Sequence, residues 1–518
     1  MTTAAAHPVA VPGLRRNMVT ICAMTATIMQ ALDTTIANVA LPYMQGSLSA
    51  SQDQINWVLT SYIVAAAIMT APVGWIANRF GRKRIFIICS AGFTIASVMC
   101  GLAQDITQMV LFRLLQGVFG AALVPLSQAV MLDSYALHER AKAMAIWGMG
   151  VMMGPIMGPS LGAWLTETYS WHWVFFVNLP FGAITVIGLI IFMDETKLDT
   201  KLRFDWFGFT ALAVGIGALQ LALDRGEQLD WFNSWEIVIE FIVSAIGFYY
   251  FFAHSFTTER PFIQFAIFKD KNFAAGCIFM VVIGVVLFST MALASPLFQN
   301  AFGYPILTAG LLLATRGSGT FVAMMLVSRL MKYFEAKYLI ATGLSLIAIT
   351  LYEMTGWTAD TQVKTIVINS VVQGFGLGLV FVPLSTAAFM TLPNHLRTDG
   401  TSMLTLIRNV ASSIGISIVI AQLTSGTIRA HAVLAEHITP FNDALQMPNV
   451  TSIISLQTDA GRAMMDAILY AQAQIISFSQ DFELVTLVTL CAIPLAFFMG
   501  STKASMLAPG ADHAAVME

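Results

Sequence analysis

Gln30-Ala31-Leu32-Asp33-Thr34-Thr35-Ile36-Ala37-Asn38-Val39-Ala40-Leu41-Pro42 closes an apolar run that begins near Met18. The run is long enough to cross a bilayer core, which takes about 20 helical residues. An aspartate therefore stands inside a membrane helix. A charge there costs at least ~2.5 kcal/mol even on the lenient insertion scale, so it faces a partner or a water-filled path. The plainer alternative is an interfacial Asp capped by Thr34 or Thr35. The functional reading is favoured because Gln30, Asp33 and Asn38 share the stretch, on what read as neighbouring helix faces.

Outward from this stretch the whole chain has the same character. Of 518 residues, 57% are hydrophobic and 11% charged. Soluble domains carry about 25% charged residues, so the chain is an all-α polytopic membrane protein. The net charge of -3 is scattered over many loops and does not suggest nucleic acid as a partner. Cys22, Cys89, Cys100, Cys277 and Cys491 all lie in apolar runs and read as small buried hydrophobes. No nucleotide-binding loop, HExxH, GxSxG or paired-Cys motif is present. We therefore expect no enzyme activity, no catalytic residues, no metal and no cofactor; energy comes from an ion gradient or a partner. Met1 to Gly13 lack a cleavable signal pattern, so the run after Arg15-Arg16 reads as an uncleaved first span.

Fourteen apolar runs follow one another: 18–41, 55–77, 85–103, 107–132, 142–165, 172–193, 206–223, 235–253, 273–298, 307–331, 338–356, 363–391, 401–424 and 482–500. An even number puts both termini on one side. With that side cytoplasmic, 19 of the 26 Lys and Arg lie in inner loops, 4 in outer loops and 3 within spans. This bias sets the orientation.

The two halves echo each other at an offset of 257. Gln116-Gly117, His138 and Arg140 match Gln373-Gly374, His395 and Arg397. Such internal repeats mark transporter folds. The organisation expected is a cytoplasmic tail (1–17), an N-terminal six-helix bundle (18–193), an inserted helix pair with linkers (194–272), a C-terminal six-helix bundle (273–500) and a second cytoplasmic tail (501–518). A long outer loop is expected over 425–481, carrying an amphipathic stretch at Ala460, Met464, Ile468, Ala471 and Ile475. The echo is incomplete: Arg113 aligns with Ser370, and Asp33 has no acidic counterpart in the ninth span. The intramembrane charge pair then belongs to the N-terminal half.

Gly74-Trp75-Ile76-Ala77-Asn78-Arg79-Phe80-Gly81-Arg82-Lys83-Arg84 joins the second and third spans. Gly74 allows close helix approach and Gly81 a tight turn. Its basic residues, Arg79 and Arg82 among them, suit a clamp that forms in one conformation only. Arg113, in Leu111-Phe112-Arg113-Leu114-Leu115-Gln116-Gly117, lies within the fourth span, and a buried guanidinium needs an anion or carbonyls. Asp33 is the candidate in kind; snorkelling of Arg113 to the surface is the alternative. Gly150, Gly154, Gly158 and Gly162 form a small-residue stripe that lets another helix pack closely, and Pro155 and Pro159 would bend it. Arg316 is a second cation within a span, ranked above Arg408.

The Leu32–Pro42 segment, the Gly74–Arg84 loop, the Arg113–Gly117 segment and the glycine stripe resemble the drug:proton antiporters of the major facilitator superfamily. Fourteen spans and the Leu219–Phe232 segment, which includes Asp224-Arg225-Gly226-Glu227-Gln228-Leu229-Asp230-Trp231, are similar to its EmrB-type exporters. Asn78 stands where that family carries an acid, and Pro159-Ser160 interrupt its Gly-Gly. The resemblance implies a major facilitator fold and efflux of a hydrophobic small molecule from the bacterial inner membrane, driven by inward proton flow. It also implies a periplasmic adaptor and an outer-membrane channel as partners. Asp33 and Arg113 would couple protons. Gln30, Asn38, Gln116, Gln373 and Arg316 are the pocket candidates. Gly74, Arg79, Gly81, Arg82, Gly150, Gly154, Pro155 and Gly158 are the gating candidates. A dedicated exporter of a metabolite, fatty acid or siderophore, and a non-transporting scaffold or receptor, are the rival readings.

Overall fold

The computed structural model describes residues 13–136, 139–196, 204–258, 261–263, 265–393, 396–439, 442 and 458–498. Among these every regular element is a helix. A bilayer offers no hydrogen bonds to backbone groups, so each crossing must satisfy its own. Thirteen described helices are long and apolar enough to cross, and a bent pair, Gln54–Thr70 and Val73–Phe80 at 56°, brings the number to fourteen. The bend falls at Ala71-Pro72, where proline has no N–H to give the helix.

The first span is Gly13–Ser47, the third Arg82–Gly101 and the fifth Arg140–Thr168. The fourth is Ile106–Gly120 continued by Leu123–Ser134, and the sixth Trp173–Phe176 continued by Asn178–Phe192. The seventh and eighth are Trp206–Arg225 and Trp235–Thr257. The ninth to twelfth are Lys271–Pro296, Ile306–Tyr333, Ala336–Thr355 and Val363–Ala388. The thirteenth is Arg397–Ala435 and the fourteenth Asp459–Ala492.

The glycine stripe of the fifth span lies against the first span. A Cβ on Gly154 would sit 2.1 Å from the Ala31 carbonyl oxygen, and one on Gly158 would sit 2.0 Å from Thr35 Oγ1. Thr35 Oγ1 donates to the Gly154 carbonyl at 3.0 Å, fixing the register. Gly150 meets Met24 and Gly162 meets Ile36 on the same seam. The fifth span runs unbroken through both prolines; the side chain of Pro155 lies outside the described residues.

Repeat-related glycines do related work. A Cβ on Gly117 would meet the Tyr62 carbonyl at 2.5 Å, joining spans four and two; one on Gly374 would meet the Arg316 carbonyl at 1.8 Å, joining spans twelve and ten. The repeat histidines His138 and His395 lie outside the described residues. The halves meet along the fifth and tenth spans, at Ser160 on Gly310, Ile156 on Gly317 and Met324 on Gly148. Trp147 adds a ring stacked on Phe381, with centroids 5.8 Å apart.

The inserted pair packs through Gly215 and Gly247 and seats on the second span through Gly217 and Ile68. Thr60 donates to Asp224, and the Arg225 guanidinium lies 5.3 Å from the Trp57 ring centre.

One expectation needs correcting. Residues 425–481 are not a long loop carrying a separate amphipathic helix. The thirteenth span continues as helix to Ala435, and the fourteenth begins at Asp459, capped by Thr458 Oγ1 on Gly461 N at 3.1 Å. The two extensions pair side by side: Ser477 Oγ donates to the Leu423 carbonyl, and His431 meets Asp466 at 3.0 Å. Once paired, each helix gains by continuing past the apolar core rather than ending there. Residues 443–457 lie outside the described residues.

Candidate functional site

Asp33 and Arg113 meet. The carboxylate and guanidinium are both fully buried, with Arg113 Nη1 donating to Asp33 Oδ2 at 2.7 Å. Arg113 therefore does not snorkel. Its Nε donates to the Val58 carbonyl at 3.1 Å, and its charge lies 4.3 Å from the Tyr62 ring centre. Gly117 lets the fourth span approach the second closely enough to bring Arg113 inward, since a Cβ there would sit 2.5 Å from the Tyr62 carbonyl oxygen.

Two neutral amides complete the site. Gln116 Nε2 donates to Asp33 Oδ1 at 2.7 Å, while its Oε1 accepts from Arg113 Nη1 at 2.7 Å. Gln116 is thus committed to the ion pair, not free to contact cargo as expected. Asn178 Nδ2 donates to Asp33 Oδ1 at 3.0 Å and to Ser97 Oγ at 2.9 Å. Asn178 was missed in the sequence, although a lone amide within the apolar sixth span was a usable signal. A buried ion pair is favourable only when its remaining lone pairs and protons are satisfied; here the second, fourth and sixth spans supply the partners.

The remaining residues of the first span diverge. Gln30 donates to the Tyr62 hydroxyl at 3.3 Å, adjoining the pair from the second span. Asn38 is exposed and makes no described hydrogen bond to Asp33. Five residues turn a helix by about 500°, leaving Asn38 roughly 140° from Asp33; the expectation of neighbouring faces fails for Asn38 on that geometry.

At the end bearing the Gly74–Arg84 loop, the halves are tied through acids from elsewhere. Asp133, at the end of the fourth span, takes Arg82 on one oxygen and Arg397 of the C-terminal half on the other, the latter at 2.7 Å. Asn78 Nδ2 reaches Asp399 Oδ1 at 3.5 Å. An amide thus replaces the family's acid at 78, and the acid stands across the seam. A Cβ on Gly74 would lie 2.0 Å from Asp399 Oδ1, so the approach requires glycine. Gly81 has φ +98°, and a Cβ there would strike the Glu195 carboxylate. Glu195 accepts from the backbone N–H groups of Lys83 and Arg84 at 3.1 Å each, capping the third span where a carboxylate suits the helix dipole. Arg79 makes no described ion pair, and its buried Nη1 has no partner.

In the C-terminal half, Arg316 and Gln373 line one cavity with Val282, Ile283, Val286, Leu287, Leu344, Ile347, Leu377 and Val380. Arg316 Nε and Gln373 Nε2 are buried and have no partner among the described residues. A further acid was overlooked: Asp481, just before the apolar run 482–500, is fully buried within the fourteenth helix, and neither carboxylate oxygen has a partner among the described residues. No group of His, Cys, Asp and Glu among the described residues could hold a metal.

With this geometry in hand, the relatives are informative. The profile of the Major Facilitator Superfamily matches residues 23–416. The chain is 33% identical over 462 residues to the multidrug export protein EmrB of Escherichia coli strain K12, covering 88% of each chain. It is 34% identical over 428 residues to the fatty acid resistance protein FarB of Neisseria gonorrhoeae, covering 82% of this chain and 84% of FarB. The fold is similar to the proton:xylose symporter XylE, with a TM-score of 0.58 at 14% identity over 93% of this chain and 96% of that one. It is also similar to the human organic anion transporter MFSD10, with a TM-score of 0.57 at 12% identity over 92% and 99%. Fourteen crossings, the two-half repeat and these relatives together place the chain in the major facilitator superfamily, as an EmrB-type exporter.

Proposed function

We propose that this protein is a proton-coupled exporter of hydrophobic drugs or toxic organic compounds, working by alternating access in the bacterial inner membrane with the basic end and both termini cytoplasmic. The observation that carries the proposal is the Asp33–Arg113 pair, sealed inside the N-terminal half. A proton arriving on Asp33 cancels the charge that holds Arg113, leaving the guanidinium on the Val58 carbonyl and Gln116 Oε1. The first span is then less firmly held to the fourth. Because Gly154 and Gly158 lock the first span to the fifth, and the fifth packs on the tenth through Gly310 and Gly317, a shift at Asp33 is passed to the seam between the halves. Coupling of this kind needs a contiguous packed path with two arrangements.

Cargo is proposed to bind between the halves, the usual place in transporters built from repeats. The Asp133 bridge between Arg82 and Arg397 keeps the cytoplasmic end shut and must break for cargo to enter. The multidrug and fatty-acid relatives support an apolar cargo. The thirteenth helix, 39 residues long, measures about 58 Å at 1.5 Å per residue, far beyond a ~30 Å core. Its paired extension with the fourteenth helix is the proposed seat for a periplasmic adaptor leading to an outer-membrane channel.

The test uses purified protein in proteoliposomes carrying a pH-sensitive dye. Wild type should move protons when a drug gradient is imposed. Asp33→Asn should bind drug yet move none. Undiminished drug-driven proton flux in Asp33→Asn, with resistance retained in cells, would overturn the coupling role.

A further inference from the structure

We infer that Arg316 and Gln373 form a seat for the anionic head of an amphipathic cargo, a lipophilic carboxylate above all. The inference rests on the exporter reading and names the cargo class it handles best. It starts from a comparison of the two halves. Each half sets an arginine beside a repeat-related glutamine: Arg113 with Gln116, and Arg316 with Gln373. In the N-terminal half Asp33 completes the set. By the repeat offset, Thr290 stands in its place in the ninth span, and its hydroxyl is spent on the Val286 carbonyl. At the position equivalent to Asp33 the C-terminal half therefore has a hydroxyl where the N-terminal half has an anion.

None of the residues lining the cavity is acidic. None of the described ion pairs includes Arg316. Glu353 is the one carboxylate carried by the ninth to twelfth spans, and Asn369 holds it at 2.9 Å. The rest of the cavity wall is Val, Ile and Leu. An uncompensated charge in such surroundings is costly, and an arriving anion relieves that cost.

The donor chemistry sets the sign and shape of the ligand. A guanidinium offers only N–H groups, in a planar fork that suits a carboxylate. The unpartnered Gln373 Nε2 adds another donor. No residue lining the cavity is acidic, so a cationic amphiphile gains nothing there. The cavity volume, about 20 Å³, has room for little more than one water-sized group. It is a head-group seat, and the apolar body of the cargo extends outside it. Arg316 is only half-buried, which leaves a way in.

The test is equilibrium binding to the full-length protein in nanodiscs at one pH with no gradient. The probes are three intrinsically fluorescent ligands: naphthylacetate, its carboxamide and naphthylethylammonium. Wild type should bind the carboxylate at least tenfold more tightly than the other two. Arg316→Gln should erase that preference by weakening the carboxylate alone, Arg316→Lys should restore part of it, and Gln373→Leu should reduce it severalfold. Equal binding of acid and amide by wild type overturns the inference, as does an equal loss for all three probes in Arg316→Gln. The wild-type comparison needs no variant, so a poorly folding mutant does not spoil the test. Carboxylate preference without drug-driven proton flux would keep this seat and sink the coupling proposal; coupled flux without the preference would do the reverse.

Discussion

Asp33→Asn tests the central geometry directly, because the site leaves the new amide no good orientation. Asp33 Oδ1 accepts from Gln116 and Asn178, and Oδ2 accepts from Arg113. With its oxygen toward Gln116 and Asn178, the asparagine turns an NH₂ group onto the Arg113 N–H. Flipped, it satisfies Arg113 but faces two amide donors with a third. Either way a buried donor loses its acceptor, at about 1–3 kcal/mol, and the guanidinium loses its anion. Breaking a buried pair by removing one partner costs about 3–5 kcal/mol. Arg113 keeps Val58 and Gln116 as acceptors, so the lower part of that range, about 3–4 kcal/mol, is expected. The measurement is unfolding in mixed micelles titrated with denaturing detergent. Arg113→Gln should cost a similar amount, and the double variant should cost less than the sum of the two, since neither charge is then stranded. A loss under about 1 kcal/mol for Asp33→Asn, or simple additivity, would refute the buried, mutually dependent pair.

Three other outcomes follow from the same structure. Gly154→Ala drives a methyl into the Ala31 backbone and should destabilise by about 3 kcal/mol, the top of the usual overpacking range; Gly46→Ala, which meets nothing within 4 Å, is the control in the same melt. Asp133→Asn leaves Arg82 and Arg397 without their shared anion. A cysteine placed at buried Ser402 should then react severalfold faster with a thiol reagent, and an unchanged rate would mean that the bridge does not hold this end shut. Asp481→Asn should stay within about 1 kcal/mol of wild type, because no described cation depends on that carboxylate; a loss as large as that of Asp33→Asn would reveal a partner.

The chain by itself determined that it crosses a membrane many times, that it is built twice over, and that an acid and an arginine are stranded in its first and fourth crossings. Hydrophobic run length, loop charge and motif spacing are one-dimensional quantities, and the bilayer imposes them directly on the sequence. Only the tertiary structure decided who meets whom. Asn178 joins Asp33 from a crossing remote in sequence and is itself held by Ser97, and Asp133 finds Arg397 across 264 residues. Asn38, five residues from Asp33, turned away, and Gln116 was spent on the pair while the side-chain nitrogen of its repeat partner Gln373 has no partner among the described residues. The extent of the thirteenth and fourteenth helices was hidden as well, since polar residues past the membrane carry no hydropathy signal and their helicity rests on pairing with each other. Contacts between distant segments depend on the angle at which helices pack, and a few glycines with backbone in place of a side chain set that angle here.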